Sequence, residues 1–217
     1  GRRTHWNKGD WLPAISSTRH REPAHHAFPK LAEDWDIKRV ISDFADAAER
    51  MKEGGMDGVE IMTHGHLLDQ FISPLTNDLD GPYGREHLES RMRLTTDIIA
   101  AVRERVGEDF VLGVRFAPDE VQEGGITPEM GLDIARILEG TGQVDFLNIN
   151  RGRIHTDPAM TDMIPIQGMR GAPHLHSAGE VQKAINLPVF HGSKIPDVAT
   201  ARHAVSSGLV DMVGMTR

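Results

Sequence analysis

Residues 110–150 read FVLGVRFAPDEVQEGGITPEMGLDIARILEGTGQVDFLNIN, and this stretch decides the fold. It opens with an apolar run at 110–116 and closes with a second at 144–150. Between them, Thr127 and Pro128 suit the N-cap and first position of a helix whose pattern ends at glycines. Because both runs are continuously apolar rather than alternating, they predict strands buried on both faces, as in a parallel sheet covered by helices.

The same alternation of strand and helix extends along the chain in both directions. Strands are predicted at 58–62, 110–116, 144–150, 187–192 and 210–217. Helices are predicted at 36–55, 85–107, 127–142, 178–185 and 196–208. This pattern is typical of an α/β fold and fits either a doubly wound sheet or a (β/α)8 TIM barrel.

Polar residues at the strand ends favour the barrel. The strands end in, or lead directly into, His64 and His66, Arg115, Asn148 and Asn150, His191 and Gly192, and Thr216 and Arg217. A barrel gathers the C-terminal ends of all its strands into one site, whereas an open sheet uses mainly its switch point. A closed barrel needs eight strands in about 250 residues. With five strands visible, we expect a partial TIM barrel forming a single domain over 1–217, with 1–35 as a long loop over the site and βα units over 36–217.

Composition excludes several classes of protein. The 217 residues carry 24 Lys plus Arg against 32 Asp plus Glu, a formal net charge of −8, which argues against nucleic-acid binding. No apolar run reaches 18 residues, so no membrane span is predicted. The absence of cysteine excludes disulfides and a thiol nucleophile in these residues and fits a cytoplasmic location. The chain opens at Gly1 without a Met, which suggests a segment of a longer protein.

Two long stretches carry a family resemblance. GGMDGVEIMTHGHLLDQFISPLTNDLDGPYG (54–84) and ESRMRLTTDIIAAVRERVGEDFVLGVRF (89–116) resemble the Old Yellow Enzyme-like family of FMN-dependent NADH:flavin oxidoreductases. The LLDQF.SP.TN match is the most specific part. GRR at the start, LPVFHGSKI and VDMVGMTR match the exit of strand three and strands seven and eight of the same barrel. The resemblance implies a fragment from the end of strand 3 to the end of strand 8.

Cofactor-binding residues follow from this resemblance. Arg115 matches the arginine beside the flavin N1 and C2 carbonyl, where a fixed guanidinium stabilises the negative charge of reduced flavin. Gly192, Ser193 and Arg217 lie at strands seven and eight, between which barrels often bind phosphate. The cofactor expected is therefore FMN, and relatives carry a 4Fe–4S cluster and a second nucleotide in a region outside this segment.

His64 and His66 are the catalytic candidates. In ene-reductases of the family, this motif holds a pair of polar side chains on the substrate carbonyl and a tyrosine that donates a proton. Here the motif is one residue shorter, so His64 falls on the second member of the pair and His66 on the tyrosine. The amine-dehydrogenase branch, related to trimethylamine and dimethylamine dehydrogenases, keeps a histidine at His64, where a neutral imidazole can deprotonate an ammonium substrate. The resemblance thus implies oxidative demethylation of an N-methylated amine or amino acid.

Substrate and partners follow less directly. Trp6, with His5 beside it, can form an aromatic wall for a methylated ammonium; alternatively, Trp6 anchors the loop to the barrel. Arg153 can bind a substrate carboxylate; alternatively, it is a solvated charge. The expected partners are a small-molecule substrate and NAD(P)H or an electron-transfer protein, and a homo-oligomer is compatible with the sequence.

Three other functions stay open at this point. An NAD(P)H-dependent ene-reductase belongs to the same family. A metal-dependent TIM-barrel hydrolase would use the His-x-His pattern of His64 and His66 as ligands. However, the eighth strand ends without the Asp such enzymes need, so no metal is expected. A flavin-binding protein without catalytic activity is the third alternative.

Overall fold

The computed structural model describes residues 13–22 and 26–215. The chain forms two compact units, Gly1–Leu112 and Gly113–Arg217. Within the described residues, none of the helices combines the length and the apolar character needed to cross a membrane. The single domain expected over 1–217 stays a prediction.

The first unit is dominated by two long helices. Its elements are strands β1 (Ile15–Ser16) and β2 (Lys30–Leu31), helix α1 (Asp34–Glu53), strand β3 (Gly58–Met62), helix α2 (Leu67–Ile72), a 3₁₀ turn (Gly81–Tyr83) and helix α3 (Leu88–Val106). Strands β1 and β2 pair in parallel. Helix α1 begins at a capping box formed by Glu33 and Asp36 and packs along α3. The buried apolar residues of these two helices include Ile37, Val40, Ala45, Ala48, Ile98, Ile99, Val102 and Val106.

The second unit is a parallel sheet with helices between its strands. Its elements are strand β4 (Val111–Phe116), helix α4 (Pro128–Gly140), strand β5 (Phe146–Ile149), helices α5 (Asp157–Met163) and α6 (Leu175–Ala184), strand β6 (Val189–His191), helix α7 (Val198–Ser206) and strand β7 (Met212–Val213). The four strands lie in the order β4–β5–β6–β7, and each neighbouring pair is parallel. The α/β class and the parallel pairing therefore agree with the sequence prediction.

Burial alternates along the strands of this sheet, which differs from the predicted burial on both faces. Residues of one face, Val114, Phe116, Leu147, Ile149, Val189 and His191, are buried. On the other face, Phe146 and Phe190 are only half-buried and stack on each other, with ring centroids 4.4 Å apart. Gly113 makes room for this pair, because a Cβ there would lie 2.0 Å from the Phe146 ring. On this second face, the two stacked aromatic rings therefore partly shield each other from solvent.

Most predicted elements are present, with shifted ends. Strand β3 has the bounds predicted for it, and Thr127 caps α4 by accepting a hydrogen bond from the Met130 N–H at 3.3 Å. The last predicted strand is reduced to Met212–Val213 in the described residues. The short helices α2 and α5 and the two-residue strands β1 and β2 were not predicted, because segments this short carry too little periodicity.

Candidate functional site

A cavity of about 840 Å³ lies at the C-terminal ends of β4, β5, β6 and β7. Its volume falls in the range of small-molecule sites. The strand ends contribute Arg115, Asn148, Asn150, Phe190, His191, Gly192, Ser193, Lys194, Met212 and Gly214. The segment that follows α5 supplies a further wall with Met163, Ile164, Pro165 and Gln167. Three of the predicted cofactor-binding residues, Arg115, Gly192 and Ser193, are therefore brought together in one place.

Two glycines leave backbone exposed at the floor of this cavity. Gly192 follows β6 and Gly214 follows β7, and the Gly214 N–H donates to the His191 carbonyl oxygen at 2.8 Å. A Cβ added to Gly192 would lie 3.6 Å from Gly214, an ordinary contact, so the protein itself has room for it. Beside them, the buried Ser193 Oγ has no hydrogen-bond partner in the described part of the chain. A buried donor without a partner beside open backbone suits an anionic group.

Arg115 shares a sheet face with a polar neighbour. It lies opposite Asn148 in the β4–β5 register, and both side chains line the cavity and are half-buried. Because strand residues alternate, both point to the face that carries Phe146 and Phe190. This position gives the cavity one permanent positive charge next to an amide that can donate or accept.

Two buried histidines lie at or near the cavity. The Nδ1 of His191 is 2.9 Å from the carbonyl oxygen of Ile149, which only accepts, so the neutral ring carries its proton there and presents Nε2 as an acceptor. Burial lowers the pKa of His191. Burial also lowers the pKa of His174 to about 4, with smaller contributions from the neighbouring His191 and Arg151. Both rings are therefore neutral near pH 7.

His174 is expected to make stability depend on pH. The unfolded chain takes up a proton near pH 6.5, whereas the folded chain does not until about pH 4. The free energy of unfolding should therefore fall as pH drops through this window, by roughly 2–3 kcal/mol. Urea unfolding from pH 7.5 to 4 measures this slope. His174→Gln should flatten it, while His176→Gln, at an exposed position on the same helix, should not; equal slopes in both variants would contradict the assignment.

The two candidate catalytic histidines differ in environment. His64 is buried, whereas His66 is exposed and occupies the N-cap position of α2. Gly65 between them has φ +76°, a left-handed conformation that glycine adopts more readily than other residues. Both belong to the first unit, and their catalytic roles stay predictions.

Arg153, predicted to bind a substrate carboxylate, has a carboxylate beside it in the protein. Its Nε lies 3.4 Å from Oε1 of Glu120, and both side chains are buried. The other carboxylate oxygen of Glu120 accepts from the Ile126 N–H at 2.8 Å. Arg153 is not among the residues that line the cavity, so its role in substrate binding stays a prediction.

The stretch LLDQFISPLTN, the most specific part of the resemblance, is held by hydrogen bonds to backbone. The Asn77 side-chain amide donates to the carbonyl oxygens of Phe71 at 2.8 Å and Tyr83 at 2.9 Å. The buried Arg91 donates through Nε to the carbonyl oxygen of Ile72 at 2.8 Å. Each of these side chains satisfies buried carbonyls that no regular element pairs, which assigns the stretch a structural task.

Some predicted residues lie outside the described residues, and some lining residues were not predicted. His5, Trp6 and Arg217 belong to the first group. The wall at the end of α5 and just after it belongs to the second. For the wall, Thr156 followed by Asp157 and Pro158 was the available signal, since it repeats the cap of α4.

No group of three or more His, Asp or Glu side chains in residues 13–22 and 26–215 is arranged to hold a metal ion. The hydrolase alternative requires several ligands that converge on one point. That alternative therefore has no supporting geometry in the described part of the chain.

The sequence is similar to proteins of known family. It matches the NADH:flavin oxidoreductase / NADH oxidase family over residues 13–217. Over 217 residues it is 62% identical to a probable N-methylproline demethylase of Rhizobium meliloti (strain 1021), covering 100% of this chain and 32% of that protein. It is 44% identical over 218 residues to a multifunctional alkene reductase/demethylase OYE of Caballeronia cordobensis, again covering 100% and 32%. The chain spans about a third of the length of these relatives.

Solved structures resemble the fold over the whole chain. A 2-naphthoyl-CoA reductase in complex with 2-naphthoyl-CoA has a TM-score of 0.90 at 26% identity, covering 100% of this chain and 34% of that one. An old yellow enzyme homologue from Zymomonas mobilis has a TM-score of 0.79 at 23% identity, covering 99% and 59%. Together with the parallel sheet, these similarities confirm the α/β fold as part of a (β/α)8 TIM barrel.

Proposed function

Because the chain belongs to the NADH:flavin oxidoreductase / NADH oxidase family, we propose that it is part of an FMN-dependent oxidoreductase that demethylates an N-methylated amino acid. The observation that carries the cofactor assignment is the buried, unpartnered Ser193 Oγ beside the open backbone of Gly192 and Gly214. The identity of 62% with a probable N-methylproline demethylase supports the substrate class.

The polar residues of the cavity suit the charge of FMN. The Ser193 hydroxyl and the backbone at Gly192 would hold the phosphate, because glycine lets N–H groups approach an anion closely, and Gly214 would leave space beside them. Arg217 is proposed as a further phosphate ligand on the resemblance alone. Arg115 would stand by the ring system, where its fixed positive charge favours an electron-rich ring. When bound, FMN supplies a two-electron acceptor for the hydride lost from an N-methyl group.

The proposed catalytic residues act on the proton of the substrate ammonium group. An N-methylated amino acid is an ammonium near pH 7 and has to lose a proton before its methyl group can give up hydride. His64 is proposed as the base, since imidazole is the side chain whose ordinary pKa suits proton transfer at that pH. His66 is proposed as a second catalytic group, and His5, Trp6 and Arg153 as substrate-binding residues.

Alkene reduction is the second candidate function. A relative 44% identical is named as both an alkene reductase and a demethylase, which supports testing both reactions. NAD(P)H or an electron-transfer partner would complete either cycle. Because the 217 residues contain no cysteine, a 4Fe–4S cluster held by thiolates would need residues outside them. A second nucleotide outside this segment is proposed on the resemblance alone. The homo-oligomer and the cytoplasmic location stay predictions.

The function is tested on the full-length enzyme. N-Methylproline is added under anaerobic conditions while the visible spectrum is followed, and formaldehyde is measured afterwards. Bleaching of the flavin bands with formaldehyde release supports demethylation. Bleaching only by NADH, with return of the bands on addition of cyclohexenone, supports the ene-reductase instead. A colourless protein that does not take up added FMN rejects both.

Gly192→Ala is expected to weaken FMN binding while leaving the fold intact. The added methyl would lie 3.6 Å from Gly214, so the protein accommodates it, but it would occupy space in the cavity. Overpacking of this kind typically costs about 1–3 kcal/mol, which corresponds to a Kd for FMN raised about 5- to 150-fold. Fluorescence titration of the FMN-depleted enzyme measures the Kd. Gly140→Ala, which meets no atom within 4 Å, is the control and should bind FMN normally; an unchanged Kd in Gly192→Ala would place the phosphate elsewhere.

A further inference from the structure

Lys194 lies directly after the Gly192–Ser193 turn, yet its ammonium is hydrogen-bonded to carbonyl oxygens of the protein and is not available to bind an anion. Its Nζ donates to the carbonyl oxygens of Ile166, of Gln167 at 3.1 Å and of Met169 at 2.5 Å. An ammonium has three N–H donors. All three therefore have carbonyl acceptors, and none is left over for a phosphate.

The backbone of Lys194 contacts the same segment at a second point. Its carbonyl oxygen accepts from the N–H of Ala172 at 2.7 Å. Lys194 has φ +48° and Ala172 has φ +47°, so both residues adopt the left-handed conformation that side chains other than glycine disfavour. Such a conformation persists where surrounding contacts hold it. The side chain and the backbone of one residue thus hold 166–172 at both ends.

The segment held in this way borders the cavity. Ile164, Pro165 and Gln167 line it, and Lys194 lines it from the opposite side of the contact. Met163 at the start of this wall is buried, but Ile164 is 59% and Ile166 is 55% exposed, so apolar burial contributes little to keeping the wall in place beyond Met163. Charge-assisted hydrogen bonds to carbonyls are stronger than neutral ones, so the ammonium supplies the missing restraint.

We propose that Lys194 is a positioning residue that fixes the cavity wall formed by residues 163–169 against the Gly192–Ser193 turn, and that it is not itself a ligand of the bound anion. Removal of the ammonium releases residues 166–169 of the wall, whereas the backbone hydrogen bond from Ala172 to Lys194 is retained. The link to FMN rests on the proposed function; the restraint on the wall does not.

Lys194→Met in the full-length enzyme tests the proposal, because it keeps the aliphatic stem and removes the donors. Hydrogen–deuterium exchange of the amides of residues 166–170 should become at least about tenfold faster than in the unaltered enzyme. Lys183→Met, which removes an exposed lysine paired with Glu180 on α6, should leave this exchange unchanged. Lys194→Arg, which retains donors, should restore part of the protection.

Binding of FMN and riboflavin separates positioning from direct contact. If Lys194 only positions the wall, Lys194→Met weakens both ligands and keeps their affinity ratio within about twofold, since the wall borders the cavity for both ligands and no phosphate contact is lost. A selective loss of FMN affinity with normal exchange of 166–170 would make Lys194 a phosphate ligand and overturn the proposal. Unchanged exchange in Lys194→Met overturns it as well. If Lys194→Met does not fold, Lys194→Arg is judged by the same exchange and affinity ratio. Failure of the unaltered enzyme to bind either flavin rejects the proposed function, while the exchange result still decides on the restraint.

Discussion

Gly131→Ala is expected to destabilise the second unit by about 3 kcal/mol or more, even though alanine is the better helix former by about 1 kcal/mol. Gly131 lies in the first turn of α4, and a Cβ there would stand 2.1 Å from the carbonyl oxygen of Pro118 and 2.5 Å from its Cα. Both are backbone atoms of the loop that follows β4, so no side chain can move aside. Relief of the overlap would require α4 to shift away from this loop.

A matched control lies in the same helix. Gly140 is the last residue of α4, and a Cβ there meets no atom within 4 Å. Gly140→Ala should therefore be neutral or stabilising by up to about 1 kcal/mol. Urea denaturation followed by circular dichroism measures both variants. Equal unfolding midpoints would mean that the close approach of α4 to Pro118 does not limit the residue at position 131.

Arg115→Ala is expected to lower turnover about 10²–10³-fold, the usual cost of removing one fixed charge-stabilising group. The side chain lines the cavity beside Asn148 and carries a permanent positive charge. Without that charge, an electron-rich ring is less favoured, so the midpoint potential of bound FMN should become more negative. Stopped-flow reduction by substrate and a spectroscopic redox titration measure the two effects.

Two further variants show whether the effect belongs to this guanidinium. Arg115→Lys keeps the charge but changes its position. Its turnover and midpoint potential should lie between those of the unaltered enzyme and those of Arg115→Ala, because a lysine cannot reproduce the forked donor geometry of arginine. Arg136→Ala removes an exposed arginine paired with Asp133 on α4 and should behave like the unaltered enzyme. An unchanged potential in Arg115→Ala would remove the residue from the flavin site.

Local patterns predicted much of the fold and part of the site. Strand β3 and the cap at Thr127 follow from apolar runs and from cap chemistry, which act over a few residues. The differing burial of His64 and His66 was not predictable from two identical side chains, because burial depends on what the folded chain packs against each of them. The Arg153–Glu120 contact and the carbonyls around Lys194 join segments 33 and about 25–28 residues apart. Such contacts arise only in the folded chain.

The hydrogen bonds of Asn77 have a consequence for how such sequences are interpreted. Its amide satisfies the carbonyls of Phe71 and Tyr83, so Asn77 serves the architecture of the LLDQFISPLTN stretch. A homologue can retain this asparagine after its substrate has changed. A match at Asn77 therefore does not distinguish demethylases from reductases, and the proposed base His64 and the cavity wall are the positions to compare.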